Sequence, residues 1–144
     1  MTLEPQPPAP ALAAAEKAGW TTLRVDLAGV DGKAELLRRW GAALHVPAWF
    51  GGNWDALADA LRDLSWLPDA PGRLLVVISW SSYAAERPGE WATLGEVLEG
   101  AVEFWRDAEE GALAVLVAEP GAAAGPPPDG PPVRGGGPRR PSGR

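Results

Sequence analysis

The chain has 144 residues, with 13 Lys and Arg residues against 19 Asp and Glu residues, for a formal net charge of −6. A chain of this length holds one domain at most. It contains no Cys and one His, which excludes a disulfide framework, a thiolate metal site, a Cys nucleophile and a site with several His ligands. The acidic balance opposes binding to nucleic acid, because negative side chains repel phosphates. We therefore expect a basic binding partner.

Both ends of the chain are predicted to lie outside the folded domain. Residues 1–19 carry no basic residue before a short Ala/Leu run, which is unlike a secretory signal, so we expect a flexible extension on a cytoplasmic protein. Residues 120–144 are mostly Gly and Pro and bury too little apolar surface to offset the entropy of ordering, which predicts a disordered tail. No stretch approaches the roughly 18–20 apolar residues that span a bilayer, so no membrane contact is expected. Residues 20–119, between these ends, hold 16 acidic and 8 basic residues, a net charge of −8.

The first half of this domain is predicted to contain one strand and two helices. Residues 22–27 alternate apolar and polar side chains, which indicates a strand with one solvated side. Over residues 33–44, apolar side chains recur at spacings of three and four, which predicts an amphipathic helix that ends before the next proline. After a loop over residues 48–52, Asn53 is a favourable N-cap for a helix from residue 54 to about residue 64.

The second half is predicted to contain two strands and a longer helix. Residues 74–78 form a continuous apolar run rich in β-branched side chains, which is typical of a strand covered on both faces. Residues 90–110 have a helical apolar spacing that ends at Gly111, and residues 113–117 are a third apolar strand. Strands separated by helices are joined by right-handed parallel crossovers, so we predict an α/β fold with a small three-stranded parallel sheet flanked by helices.

The helix that follows Asn53 carries acidic residues at a spacing that does not favour a helix. Asp55 and Asp59 are four residues apart, on a different face from the apolar residues, and like charges at this spacing destabilise a helix by roughly 0.2–0.5 kcal/mol. The helix dipole favours Asp55 near the N-terminus, whereas Asp59 lies in the helix body, where only Arg62 offsets part of the repulsion. Asp59 is therefore the anomalous residue.

Two large aromatic residues, Trp49 and Phe50, precede this helix in a loop with Gly51 and Gly52, where turn chemistry favours small polar residues. Apolar groups beside unpaired acids are typical of a surface that binds a cationic partner. A purely structural interpretation stays open, in which the acids form a solvated face and the aromatic residues form a lid over the core.

The run from residue 46 to residue 61, VPAWFGGNWDALADAL, resembles the signature loop and helix of the barstar family, intracellular inhibitors of secreted microbial ribonucleases. The order of strands and helices from about residue 21 to residue 119 is also similar to that family. The resemblance implies a barstar-like fold and an inhibitor that has no catalytic activity and needs no cofactor. It also implies a monomer that forms a 1:1 complex with a basic, barnase-like ribonuclease.

The resemblance assigns roles to individual residues of this loop and helix. Trp49 takes the place of an aromatic residue that packs across the catalytic groups of the nuclease, and Gly51 lets the backbone approach closely. Asn53 caps the helix, Asp55 matches an acid that meets an Arg at the rim, and Asp59 matches the acid that enters the phosphate-binding pocket. A carboxylate accepts hydrogen bonds there as a phosphate would, but offers no scissile bond. The predicted partner-binding residues are Trp49, Phe50, Gly51, Asn53, Asp55 and Asp59.

Three positions depart from the family pattern. Ala58 stands where the well-known member has a large aromatic residue, and Gly52 replaces a charged residue. The contact acid that the family carries on the later helix falls at Arg106 or Asp107, depending on one gap. The identity of the partner is therefore left open.

Two other functions compete with ribonuclease inhibition. The first is an interaction module on the same fold that binds a different basic protein. The second is a small hydrolase in which Asp55 and Asp59 act as an acid/base pair or bind Mg²⁺. No Gly-rich phosphate loop or dinucleotide fingerprint accompanies these acids, which disfavours the hydrolase.

Overall fold

The computed structural model describes residues 4–47, 52–109 and 111–120, which form five helices and three strands. None of the helices in these ranges is long and apolar enough to cross a membrane. The elements in chain order are α1 (Pro8–Lys17), β1 (Thr21–Asp26), α2 (Lys33–Leu44), α3 (Trp54–Asp63), β2 (Arg73–Ile78), α4 (Ser81–Glu86), α5 (Pro88–Arg106) and β3 (Leu113–Val117).

The three strands form one parallel sheet in the order β1-β2-β3. β1 pairs with β2 from Thr21↔Arg73 to Asp26↔Ile78, and β3 pairs with the other edge of β2 as far as Val77↔Val117. All six residues of β2 are buried, as expected for a central strand whose apolar run is continuous. The predicted α/β fold with a three-stranded parallel sheet and flanking helices is confirmed.

The larger core lies between one face of the sheet and helices α2, α3 and α5. Each helix contributes apolar side chains spaced by three or four residues, so that they share one face. The fully buried members of this set include Leu36, Leu37, Trp40, Leu44, Leu57, Leu61, Leu94 and Leu98.

Helix α5 ends earlier than its sequence pattern indicates. The sequence predicts a helix over residues 90–110, whereas the structure ends it at Arg106 with Asp107 as the C-cap. Trp105 is the last large apolar residue to pack against the core, and the amide of Ala108 closes a turn on the carbonyl of Trp105 at 3.2 Å. Because residues 106–109 include no large apolar side chain to bury against the sheet, a further helical turn would gain little from packing.

The N-terminal segment differs from its prediction. The sequence predicts a flexible extension over residues 1–19, but ten of these residues form α1, which packs on the second face of the sheet. Pro8 opens the helix at a position that proline favours, and two hydrogen bonds join Gln6 to the end of β3 (Gln6 N to Val117 O, 2.9 Å, and Glu119 N to Gln6 O, 3.0 Å). The physical reason is β2, because a strand that is apolar on both sides needs a cover on both faces. The second core consists of Ala15, Leu74, Val76, Ile78, Leu116 and Ala118, with Leu12 and Trp20 packed against it.

A chain that lacks residues 1–19 is expected to unfold with a free energy lower by about 2 kcal/mol or more, because the second face of the sheet loses its apolar cover. Urea denaturation of the full and the shortened chain measures this difference. A chain lacking only residues 1–4 keeps Gln6 and α1 and serves as the control. Equal unfolding free energies for all three chains would show that α1 contributes nothing to the fold.

Candidate protein-binding site

Helix α3 begins where the sequence predicts, because Asn53 caps it. The Asn53 backbone is extended, with φ at −130°, and its side-chain Oδ1 accepts a hydrogen bond from the amide of Ala56 at 2.7 Å. The Asn53 carbonyl accepts the first helical hydrogen bond from Leu57 at 3.0 Å. Gly52, one residue earlier, has φ at +70°, a left-handed conformation that favours glycine. The turn and the cap together fix the direction in which α3 leaves the loop.

The other end of α3 is held by a residue from α5. The indole Nε1 of Trp105 donates a hydrogen bond to the carbonyl of Leu61 at 2.7 Å, which satisfies one of the carbonyls left without a helical partner at a helix C-terminus. Leu57, Ala60 and Leu61 are fully buried beneath the helix. Because its cap, its buried face and its last turn are all held, α3 is a rigid element.

The opposite face of α3 presents the two predicted acids to solvent. Asp55 lies in the first turn and is exposed, and among the described residues it has no hydrogen bond or ion pair. The side chain of Asp59 is 74% exposed, and its Oδ1 lies 3.3 Å from Nη2 of Arg62, which is itself exposed. An exposed pair of this kind contributes about 0–1 kcal/mol. Asp59 can therefore exchange Arg62 for a better placed cation at little cost.

A carboxylate on α2, in contrast to the acids on α3, is closely paired with two arginines of the same helix. Glu35 accepts hydrogen bonds from Arg38 at 2.6 Å and from Arg39 at 2.7 Å. The hydrogen bond from Arg38, followed by the one from Arg39, lowers the pKa of Glu35 to about 2. Of the two acids on α3, only Asp59 contacts an arginine, through one longer contact with Arg62 at 3.3 Å, so the exposed face of that helix keeps a net negative charge.

The structure places part of the predicted site. Asn53, Asp55 and Asp59 lie on one helix and its cap, and both acids face solvent. Trp49 and Phe50, together with Gly51, lie outside the described residues. In the described part of the chain, no group of three or more His, Asp or Glu side chains is placed to hold a metal ion.

The two positions at which the sequence places the family's later contact acid lie at the end of α5. Arg106 is the last residue of α5 and donates a hydrogen bond to Glu103 at 2.6 Å, while Asp107 caps the helix; both are exposed. They follow Trp105, whose indole contacts the backbone of α3. Sequence reasoning did not find the role of Trp105 in positioning α3, because the carbonyl that it binds is 44 residues away in the chain.

The fold and the exposed acids define a small α/β protein with an anionic surface on a rigid helix. A family model described as Barstar (barnase inhibitor) matches residues 20–117. The chain therefore belongs to the barstar family, a family of inhibitors. The matched region runs from just before β1 to the end of β3, so that α1 lies outside it. A search of the curated proteins gave no match to this chain.

Proposed function

We propose that this protein binds a basic, barnase-type ribonuclease and blocks its active site. The observation that carries the proposal is the pair Asp55 and Asp59, exposed on one face of a helix that is held at both ends. Membership of a family described as barnase inhibitors supports it.

The proposed mechanism is charge mimicry by a rigid surface. A ribonuclease holds the phosphates of its substrate with Arg, Lys and protonated His side chains, and a carboxylate accepts the same charge-assisted hydrogen bonds. Asp59 occupies the phosphate position in this proposal, and Asp55 meets a cation at the rim. The aromatic side chains of Trp49 and Phe50 and the close backbone approach at Gly51 supply the apolar contact. Inhibition requires no bond to be broken, so the inhibitor needs no catalytic group of its own.

The charge of the domain supports rapid association with such a partner. Residues 20–119 carry a net charge of −8, and a field of one sign steers an oppositely charged protein toward the binding surface. Salt screens this field over about 10 Å at 0.1 M ionic strength, so the association rate should fall as salt is added. The proposed complex contains one copy of each protein, and the proposed location is the cytoplasm.

An inhibition titration tests the proposal directly. The full chain is added to each of a panel of purified barnase-type ribonucleases, and cleavage of a fluorescent RNA is followed at several salt concentrations. We expect loss of cleavage with an end point at one inhibitor per nuclease for at least one enzyme, and weaker inhibition at high salt. Unchanged cleavage of every enzyme at tenfold molar excess would refute the proposal. Binding without loss of cleavage would instead favour the interaction module.

Arg62 offers a second test, in which affinity should rise. It is the one cation that contacts the acidic face of α3 within the described residues, and it repels a basic partner while it pairs with Asp59. Replacing Arg62 with Gln is expected to increase the association rate several-fold at low salt, with an unfolding free energy changed by less than about 1 kcal/mol. The association rates of the parent and of R62Q are measured by stopped-flow mixing with the free ribonuclease that the parent inhibits in the titration. Slower association of R62Q would argue that Arg62 itself contacts the partner.

A further inference from the structure

Arg73, the first residue of β2, is a buried cation without a counter-ion in the described part of the chain. It is only 8% exposed. Its Nη2 donates a hydrogen bond to the carbonyl of Pro68 at 2.8 Å, but its Nε is buried and has no partner. The ion pairs of the described residues involve other arginines, so no described carboxylate lies within 4.0 Å of this guanidinium.

Such an arrangement is unfavourable unless an anion completes it. Moving a charge out of water without a partner is strongly destabilising, and buried charges in proteins are paired and hydrogen-bonded. A neutral carbonyl such as that of Pro68 satisfies one N–H and leaves the guanidinium without a carboxylate in direct contact among the described residues. Arg73 is therefore suited to bind an anion that carries oxygen acceptors.

A cavity of about 540 Å³ gives access to Arg73. The cavity lies beneath the C-terminal end of α3, and Leu64, Leu67 and Trp105 form its apolar wall. Its size is within the range of small-molecule sites, which combine apolar walls with a few polar groups. The indole of Trp105 that lines this cavity also holds the last turn of α3.

Two acids on the wall of the cavity restrict the charge of the ligand. Asp63 and Asp69 line the same cavity as Arg73, so a dianion would meet one cation and two carboxylates. A ligand with a single negative charge meets half of this repulsion, and it loses far less hydration on entering the cavity, because the cost of removing an ion from water grows with the square of its charge.

We propose that this cavity binds a small monocarboxylate with an apolar body. The carboxylate oxygens accept hydrogen bonds from the guanidinium of Arg73, and the apolar body packs against Leu67 and Trp105. This site is separate from the acidic face of α3, and the proposal does not depend on ribonuclease inhibition.

The test uses the full chain and sodium benzoate as the probe, with sodium chloride at equal ionic strength as the reference. Calorimetry gives the dissociation constant, and the melting midpoint is then measured at ten times that concentration. We expect the midpoint to rise by about 5 °C, since a ligand that binds only the folded state stabilises it. The Arg73→Met variant should lose this rise. A parent midpoint equal in benzoate and chloride, or an unchanged rise in R73M, would overturn the proposal.

Two comparisons identify the source and class of the anion. Glu110 lies outside the described residues, and the Glu110→Gln variant should respond to benzoate as the parent does. A response seen only in E110Q would mean that a carboxylate of the chain itself occupies the site, which overturns the proposal. Inorganic phosphate should raise the midpoint less than benzoate, and an equal rise would overturn the assignment to a monocarboxylate.

A further measurement uses only the parent protein, so it does not depend on whether a variant folds. In a ¹H–¹⁵N spectrum of the assigned full chain, the Nε–H signal of Arg73 should shift as benzoate is added and saturate at the calorimetric dissociation constant. A signal that stays in place while the calorimeter records binding would locate the ligand elsewhere and refute the site.

Discussion

Replacing Asp59 with Ala is expected to weaken binding to the barnase-type ribonuclease that the parent protein inhibits by about 100-fold or more. In the proposed complex, the Asp59 carboxylate is removed from water among cations of the phosphate-binding pocket. Truncating one member of such a buried, hydrogen-bonded charge pair costs about 2–5 kcal/mol, because the cations of the partner are left without a counter-charge. A loss of 100-fold corresponds to about 2.7 kcal/mol. Dissociation constants from calorimetry or from inhibition curves measure the change.

Two controls separate this specific contact from the loss of one negative charge. Glu16→Ala removes an exposed carboxylate from α1, on the other side of the sheet from α3, and should change affinity by less than about threefold at moderate salt. The stability of D59A should equal that of the parent within about 0.5 kcal/mol, because the Asp59 side chain is 74% exposed and Ala is favourable in helices. Equal losses of affinity in D59A and E16A would mean that the net charge of the protein determines affinity and that Asp59 makes no specific contact.

The parts of the fold that local sequence determines are those predicted well. β2 is identifiable because residues 74–78 form an unbroken apolar run rich in β-branched side chains, which is typical of a strand covered on both faces. The structure buries all six residues of Arg73–Ile78. The start of α3 is identifiable because Asn53 has the side chain that accepts an amide hydrogen bond at a helix N-terminus. Asp59 was identifiable as a candidate binding residue for a related reason, since a like charge four residues from Asp55 does not favour a helix, and its binding role stays a prediction.

The parts that depend on distant contacts were not predictable. α1 contains five Ala residues and little amphipathic signal, and it is stable because the second face of the sheet needs a cover. The same holds for Trp105, whose hydrogen bond to Leu61 joins two helices far apart in sequence. Short-range patterns show which faces of an element are apolar, but not which other element covers them.

The contact between Gly72 and Trp20 is a further case of this kind, and it leads to the largest expected effect on stability. The two residues immediately precede β2 and β1, whose pairing begins at Thr21↔Arg73. A Cβ atom added at Gly72 would overlap the indole ring of Trp20, with Cε2 as its nearest atom, and no relaxed structure allows such an overlap. We therefore expect Gly72→Ala to lower the free energy of unfolding by about 2–3 kcal/mol, as overpacking of a buried position does. Urea denaturation measures the loss.

A double-mutant cycle shows whether the indole is the cause. Trp20→Ala alone loses apolar packing against the second core, but it also removes the ring that the new methyl group would meet. The double variant G72A/W20A should therefore be more stable than the sum of the single losses predicts, by about 1 kcal/mol or more. Gly100→Ala is the matched control, because nothing lies within 4 Å of its added Cβ, and in the interior of α5 it should stabilise the protein by up to about 1 kcal/mol. Additive losses in the cycle would mean that the destabilisation by the added methyl group does not come from the Trp20 indole.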